Sequence, residues 1–229
     1  MKNLVVCIFL TLFLAIPQIT FADEAYEAKM LVNMSSMTLE KFVKEKTEDP
    51  IRKFLRDSKG IFICPQLLKG AFIFGVSGGS GVFLVWDQKG KEYNGPAFYT
   101  LGGVSIGLQG GGSSSEVILL FMTDRGVSAM LGSNLKLGVD VEIAFGPVGG
   151  GAKAGSSNLS ADVIGYYTSK GLFGGLSLDG GVVKVRNDLN RAYYGKEVTP
   201  VDILITGSIK KEEAKIFTKI VKEYKVKDR

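Results

Sequence analysis

The chain has 229 residues, 45% of them hydrophobic, with 30 glycines, two cysteines, no histidine and a formal net charge of +5. The missing histidine excludes Ser-His-Asp and Cys-His catalysis, histidine-ligated zinc and imidazole acid-base chemistry. The charge is concentrated at one end: Lys210–Arg229 hold eight Lys or Arg against four acids. Without Lys2, that tail carries the whole positive balance, and no nucleic-acid partner is expected.

In chain order, Lys2, an apolar run from Leu4 to Ile16, the Pro17 break and Thr20-Phe21-Ala22 read as a secretory signal peptide over residues 1–22. The run is short for a membrane span, which needs about 20 residues. Cys7 lies within this leader, so Cys64 is the one cysteine of the exported chain and has no internal disulfide partner. Its apolar setting, Ile61-Phe62-Ile63-Cys64-Pro65, points to a buried small hydrophobe.

Residues 24–47 lack proline and glycine and place Leu31, Met34, Met37 or Thr38, and Phe42 near helical spacing, which predicts an amphipathic helix. Asp49-Pro50 is a helix start, and Gly60 ends that second helix, so helices fill residues 24–58. From Ile61 the period changes to short apolar runs among dense glycine. Strands are expected at Ile61–Cys64, Ala71–Val76, Gly81–Trp86, Ala97–Leu108, Glu116–Met122, Leu135–Ile143, Ser160–Ser169, Leu172–Leu178 and Gly180–Val185. Val127–Met130 and Asn187–Tyr194 read as helical turns within or beside this β core of residues 61–186. In residues 210–229 the helical period returns, with Phe217, Ile220, Val221 and Tyr224 on one stripe beside Lys215, Lys219, Lys222 and Lys225. The expected fold is α+β and mainly β: a glycine-rich antiparallel sheet curled into a barrel or sandwich, with N-terminal helices and a C-terminal amphipathic helix.

Motifs with chemical meaning are weak. Gly103-Val104-Ser105-Ile106-Gly107 matches a nucleophile elbow, but it sits in strand-like sequence with no histidine to activate the serine. Ser77–Gly81 and Gly149–Gly155 lack the strand-loop-helix setting of a phosphate-binding loop and read better as turn or bulge glycines. No catalytic residue, metal site or cofactor is expected. The lysine-flanked tail helix suits an anionic membrane surface, with Lys215, Phe217, Lys219, Ile220, Lys222 and Tyr224 as its contacts. Docking of the same apolar stripe on the sheet is the alternative.

The order of segments resembles the SYLF family over residues 27–208. The resemblance is carried by Lys59-Gly60-Ile61-Phe62-Ile63-Cys64-Pro65, Lys69-Gly70-Ala71-Phe72-Ile73-Phe74-Gly75, the run Gly102–Gly111, Ala144-Phe145-Gly146-Pro147-Val148-Gly149, Tyr166–Gly180 and Asn190-Arg191-Ala192-Tyr193-Tyr194-Gly195. It implies a lipid-binding domain spanning residues 23–209. In eukaryotic members the lipids are phosphoinositides and an amphipathic N-terminal helix takes part; some fungal members bind and bundle actin. A stand-alone domain behind a signal peptide looks like the exported bacterial branch. The implied lipid site falls near residues 30–42, at Met30, Met34, Lys41 and Phe42. Cys64, where relatives carry an aliphatic residue, and the basic tail depart from the family pattern. The expectation is therefore a periplasmic or extracellular, non-catalytic domain that binds anionic phospholipid. The alternatives are an envelope protein-interaction scaffold and, less well matched by the lysine-rich C-terminus, an outer-membrane β-barrel.

Overall fold

The computed structural model describes residues 21–45, 51–71, 74–106, 111–145, 161–171, 178, 180–209 and 211–226. Residues 1–20 of the leader read at 1–22, the Asp49-Pro50 helix start, the Gly149–Gly155 stretch and most of the Leu172–Leu178 strand lie outside them.

Two helices, α1 (Phe21–Glu45) and α2 (Ile51–Asp57), lead into the sheet. Its strands are β1 (Gly60–Ala71), β2 (Phe74–Asp87), β3 (Glu92–Ile106), β4 (Gly111–Phe121), β5 (Asn134–Lys136), β6 (Ile143–Phe145), β7 (Val163–Gly171) and β8 (Val182–Val185). Helix α3 (Asp124–Met130) follows β4. After β8 come α4 (Asn187–Tyr194), α5 (Pro200–Leu204), a 3-10 turn at Glu212–Ala214 and α6 (Lys215–Val226). The eight strands run in the order β5-β8-β3-β2-β1-β4-β7-β6. All pairs are antiparallel except β6 with β7.

Connectivity forces this sheet to curl. Its two edge strands are consecutive in the chain, separated by residues 137–142 alone. Laid flat, seven strand spacings would span about 34 Å, whereas six linking residues reach about 24 Å even when fully extended. Those six are not extended: the Asp140 amide donates to the Lys136 carbonyl at 2.9 Å and Gly138 to Val141 at 3.0 Å. The edges are thereby drawn together, and the sheet forms a curled half-barrel.

Alternation then gives the curl two buried faces. The concave face carries Phe62, Phe83, Tyr99, Leu101 and Phe121, all buried. Phe83 meets Phe121 and Tyr99 edge to face, with centroids 4.9 Å and 6.1 Å apart. Helix α3 plugs this core, and the Tyr99 hydroxyl donates to the Met130 carbonyl at 2.7 Å. The convex face carries Ile61, Ile63, Val82, Phe98, Ile118 and Leu120, also buried. Here the helices cover it: the Phe98 and Tyr193 rings lie 5.1 Å apart, and Lys41 on α1 pairs with Glu116 on β4 at 2.6 Å. These helices occupy the surface where a membrane-spanning barrel would meet lipid. Among the described residues no helix is long and apolar enough to cross a membrane.

Glycine sets how closely the strands pack. A Cβ at Gly81 would lie 2.5 Å from the Ile63 carbonyl and 2.6 Å from the Phe62 ring. One at Gly79 would lie 2.2 Å from the Gln66 carbonyl, beside the irregularity in β1 where pairing slips between Ile63 and Leu68. Only a residue without a side chain fits either place.

Three sequence expectations need correction. Ile61–Cys64 is the start of the single strand β1, and the expected strand at Ala71–Val76 instead takes in the end of β1 at Ala71 and the start of β2 at Phe74. Leu135–Ile143 is not one strand, because Asp140 accepts the Lys136 amide at 2.7 Å and folds the segment into a turn between β5 and β6. Helix α5 was not anticipated; its signal is Thr199-Pro200, with Thr199 and Asp202 forming a reciprocal capping box.

Candidate functional site

Helix α1 sorts its residues by the period of 3.6. Ala28, Leu31, Val32, Leu39, Phe42 and Val43 are buried, whereas Tyr26, Met30, Met34 and Met37 lie on the exposed side. Of the predicted stripe, Leu31, Thr38 and Phe42 thus face the core and the two methionines do not. The helix crosses the convex face of the sheet near the β1 irregularity, from Ser80 on β2 past Pro65 and Leu68 on β1 to Glu116 on β4. On one side of this crossing the strands are covered by α4 and α6. On the other, no described helix covers the glycine-rich ends of β1, β2 and β3, where Leu68, Val76 and Val104 are exposed.

Three apolar side chains stand on that bare part. Leu68 pairs with Gly78, Gly70 with Val76, and Val76 with Val104, so Leu68, Val76 and Val104 share the convex face as neighbours. Val76 is 63% exposed and Val104 84%. Between Leu68 and α1 opens a groove of ≈490 Å³, walled by Tyr26, Met30, Met34, Pro65 and Leu68 and floored by Gly78 and Gly79. Together these residues form one continuous apolar surface. Contiguous apolar patches beyond a few hundred Å² are uncommon on soluble monomers and mark interaction sites.

The other predicted contacts fall elsewhere. Lys41 is half-buried in its ion pair with Glu116, and Phe42 is a core residue. Phe217 and Ile220 are buried, so the apolar stripe of the tail docks on the protein and does not form a surface. Thr218 on the same helix accepts the Tyr93 amide at 2.9 Å, which anchors α6 at the start of β3. Val104 lies near the end of β3, about 36 Å of strand away. Lys215, Lys219 and Lys222 are exposed on α6, with Lys215 paired to Glu212 at 2.8 Å. The structure therefore separates the tail lysines from Met30 and Met34, which it joins instead to Tyr26, Leu68, Val76 and Val104. The side chain of Tyr224 lies outside the described residues.

Sequence reasoning missed Tyr26, Leu68, Val76 and Val104. An apolar residue alternating with glycine, as in Leu68-Lys69-Gly70, Val76-Ser77-Gly78 and Gly102-Gly103-Val104, was the available signal. Whether such a residue is covered depends on where α1 crosses, which alternation does not encode.

Potential reacting groups are tied up structurally. Asp162, buried, accepts from Thr123 Oγ1 at 2.6 Å, the Glu142 amide at 3.0 Å, and Arg125 Nε at 3.1 Å and Nη2. The Arg125 guanidinium leads these donors in holding its carboxyl down to about 2. Burial pushes the Cys64 thiol up to about 12, so it stays protonated and unreactive at neutral pH. Gly103–Ile106 continues as strand β3, without the strand-to-helix turn of a nucleophile elbow. Among the described residues, no three or more His, Cys, Asp or Glu side chains gather as a metal site.

Comparison with known proteins places this architecture. Residues 102–224 match the Ysc84 family, described as Las17-binding protein actin regulator. SH3 domain-containing YSC84-like protein 1 from Bos taurus is 34% identical over 149 residues, covering 64% of this chain and 43% of that protein. The Homo sapiens protein of that name is 30% identical over 169 residues, 73% and 49% of the respective chains. LAS seventeen-binding protein 3 from Saccharomyces cerevisiae is 30% identical over 160 residues, 68% and 34% of the two chains. The chain spans less than half the length of these curated relatives.

Proposed function

The chain belongs to the Ysc84/SYLF family, and from that premise we propose that it is a non-catalytic lipid-binding domain that seats a bare apolar face on a membrane surface. The observation that carries this reading is the continuous face formed by Tyr26, Met30 and Met34 on α1 with Leu68, Val76 and Val104 on the sheet. Removing apolar area from water contributes about 25 cal/mol per Å², so six partly exposed side chains supply several kcal/mol. That suits reversible association and is far from the insertion of a spanning helix. The leader read at residues 1–22 directs export, so the surface concerned is periplasmic or extracellular and the protein is peripheral to it.

The exposed tail lysines, Lys219 and Lys222, form a separate cationic edge. If that edge led the association, binding would require anionic lipid and fade with salt over a Debye length of about 8–10 Å. Seating of the apolar face instead gives binding that persists in salt. Flotation of the full chain with neutral and anionic vesicles across a salt series separates the two. Retention at high salt, with loss on Met30→Glu or Val104→Glu, supports the apolar face; salt-sensitive binding abolished by Lys219→Glu with Lys222→Glu assigns the surface to α6.

The names of the relatives favour one second reading. The family description speaks of Las17 binding and the relative from Bos taurus is named as SH3 domain-containing; the equivalent reading here is an envelope protein held on the same face. It predicts co-purification of one such partner and no flotation with any vesicle.

A further inference from the structure

The groove beside α1 has chemistry at its end that a flat apolar face does not need. Its volume of ≈490 Å³ falls in the range of small-ligand pockets, about 300–1,000 Å³. Met30 and Met34 on its wall are unbranched and adapt to a flexible occupant. The floor is held open by backbone: a Cβ at Gly78 would meet nothing within 4 Å, while none fits at Gly79.

Glu27 and Ser80 also line the groove. The Arg186 guanidinium reaches both, with Nη1 3.1 Å from Ser80 Oγ and 3.4 Å from Glu27 Oε1. Asp188 holds the same guanidinium through Nε at 2.9 Å and Nη2 at 2.6 Å, which fixes its position independently of Glu27. The groove thus runs from an apolar channel to the Glu27 carboxylate and the Ser80 hydroxyl, with the Arg186 guanidinium directly against both. The contact of Arg186 with Glu27 is long, whereas that of Arg186 with Asp188 is short. Counting Asp188, this end carries one net negative charge.

We propose that the groove takes one hydrocarbon chain of a zwitterionic amphiphile, whose head places its ammonium at Glu27 and its phosphate at Arg186. Charge complementarity selects this head. A purely anionic head would face two carboxylates, a purely cationic head would satisfy Glu27 but set a second cation beside the guanidinium, an uncharged head would leave both charges without a new partner, and a head with both signs matches the pair. The inference rests on the membrane reading in that the groove opens on the face seated on the bilayer, from which the chain would enter.

The test is calorimetric titration of the full chain with dodecylphosphocholine below its micelle concentration, against dodecyl phosphate and dodecyl maltoside, with vesicle flotation run in parallel. Saturable one-site binding of dodecylphosphocholine, at least tenfold tighter than the other two, is expected. Gly78→Phe, which fills the floor from an open position, should weaken binding at least tenfold with the thermal midpoint retained. Glu27→Gln should abolish the preference among heads while chain binding remains. Flotation without monomer binding would overturn the groove inference and leave the membrane reading intact; failure of both would overturn both. Equal affinity for the three amphiphiles would overturn the head assignment, and undiminished binding by folded Gly78→Phe would overturn the groove as the site.

Discussion

Asp162 shows how single residues hold the curl closed. Its carboxylate joins Thr123 and Arg125, at the start of α3, to the Glu142 amide beside β6, so one side chain ties the plug of the core to the edge of the sheet. The fold holds its carboxyl at about 2, against an ordinary value of 3.8. Between these values the unfolded chain binds more protons than the fold, and the stabilisation, present above the unfolded value, is lost as pH falls through about 2. The shift corresponds to about 2 kcal/mol, and less in salt, since Arg125 is largely solvent-exposed. Asp162→Asn should lower the thermal midpoint by roughly 4–8 °C at neutral pH and flatten the decline in stability between pH 5 and 2, as followed by circular dichroism. Neighbouring glycines give a sharper contrast. Gly79→Ala drives a Cβ against the Gln66 carbonyl and should cost about 2 kcal/mol or more in urea unfolding. Gly78→Ala meets open space and should stay within about 0.5 kcal/mol of the parent.

At the scale of elements, helix α1 is both a core component and a surface. Phe42→Ala should cost about 3–5 kcal/mol because that side chain is enclosed, whereas Met37→Ala, on the exposed side, should be near neutral in the same unfolding experiment. The helices were largely legible in the sequence. Asn187–Tyr194 matches α4 to the residue, and the periodic runs at residues 24–47 and in the tail correspond to α1 and α6. Strand boundaries were less legible where glycine interrupts a run without interrupting the strand, as across Gly78, Gly79 and Gly81 in β2. The tail illustrates a different limit. A stripe of Phe217, Ile220 and Val221 beside lysines reads the same whether it meets lipid or protein; what decides it here is the β3 backbone, whose Tyr93 amide is met by Thr218. The sequence likewise contained Leu68, Val76 and Val104 but not the path of α1 that leaves them bare.

For the whole molecule, a curled sheet filled from within by aromatic rings and clasped outside by helices makes a stiff support, and its uncovered sector is the part suited to a soft partner. Lys219 and Lys222 on α6 sit toward the opposite end of β3 from that sector, so under the proposed membrane reading orientation on a bilayer distinguishes the apolar face from the cationic edge. A polarity-sensitive fluorophore on an introduced cysteine reports that orientation in a Cys7→Ser chain, because Cys64, the remaining native cysteine, is buried and its thiol is held protonated. The decisive measurement compares the fluorophore at Val104→Cys with the same label at Lys219→Cys when vesicles are added to the full chain. Seating of the apolar face predicts a blue shift for the Val104 label and little change for the Lys219 label. A shift confined to the Lys219 label would contradict the account and assign the membrane surface to α6.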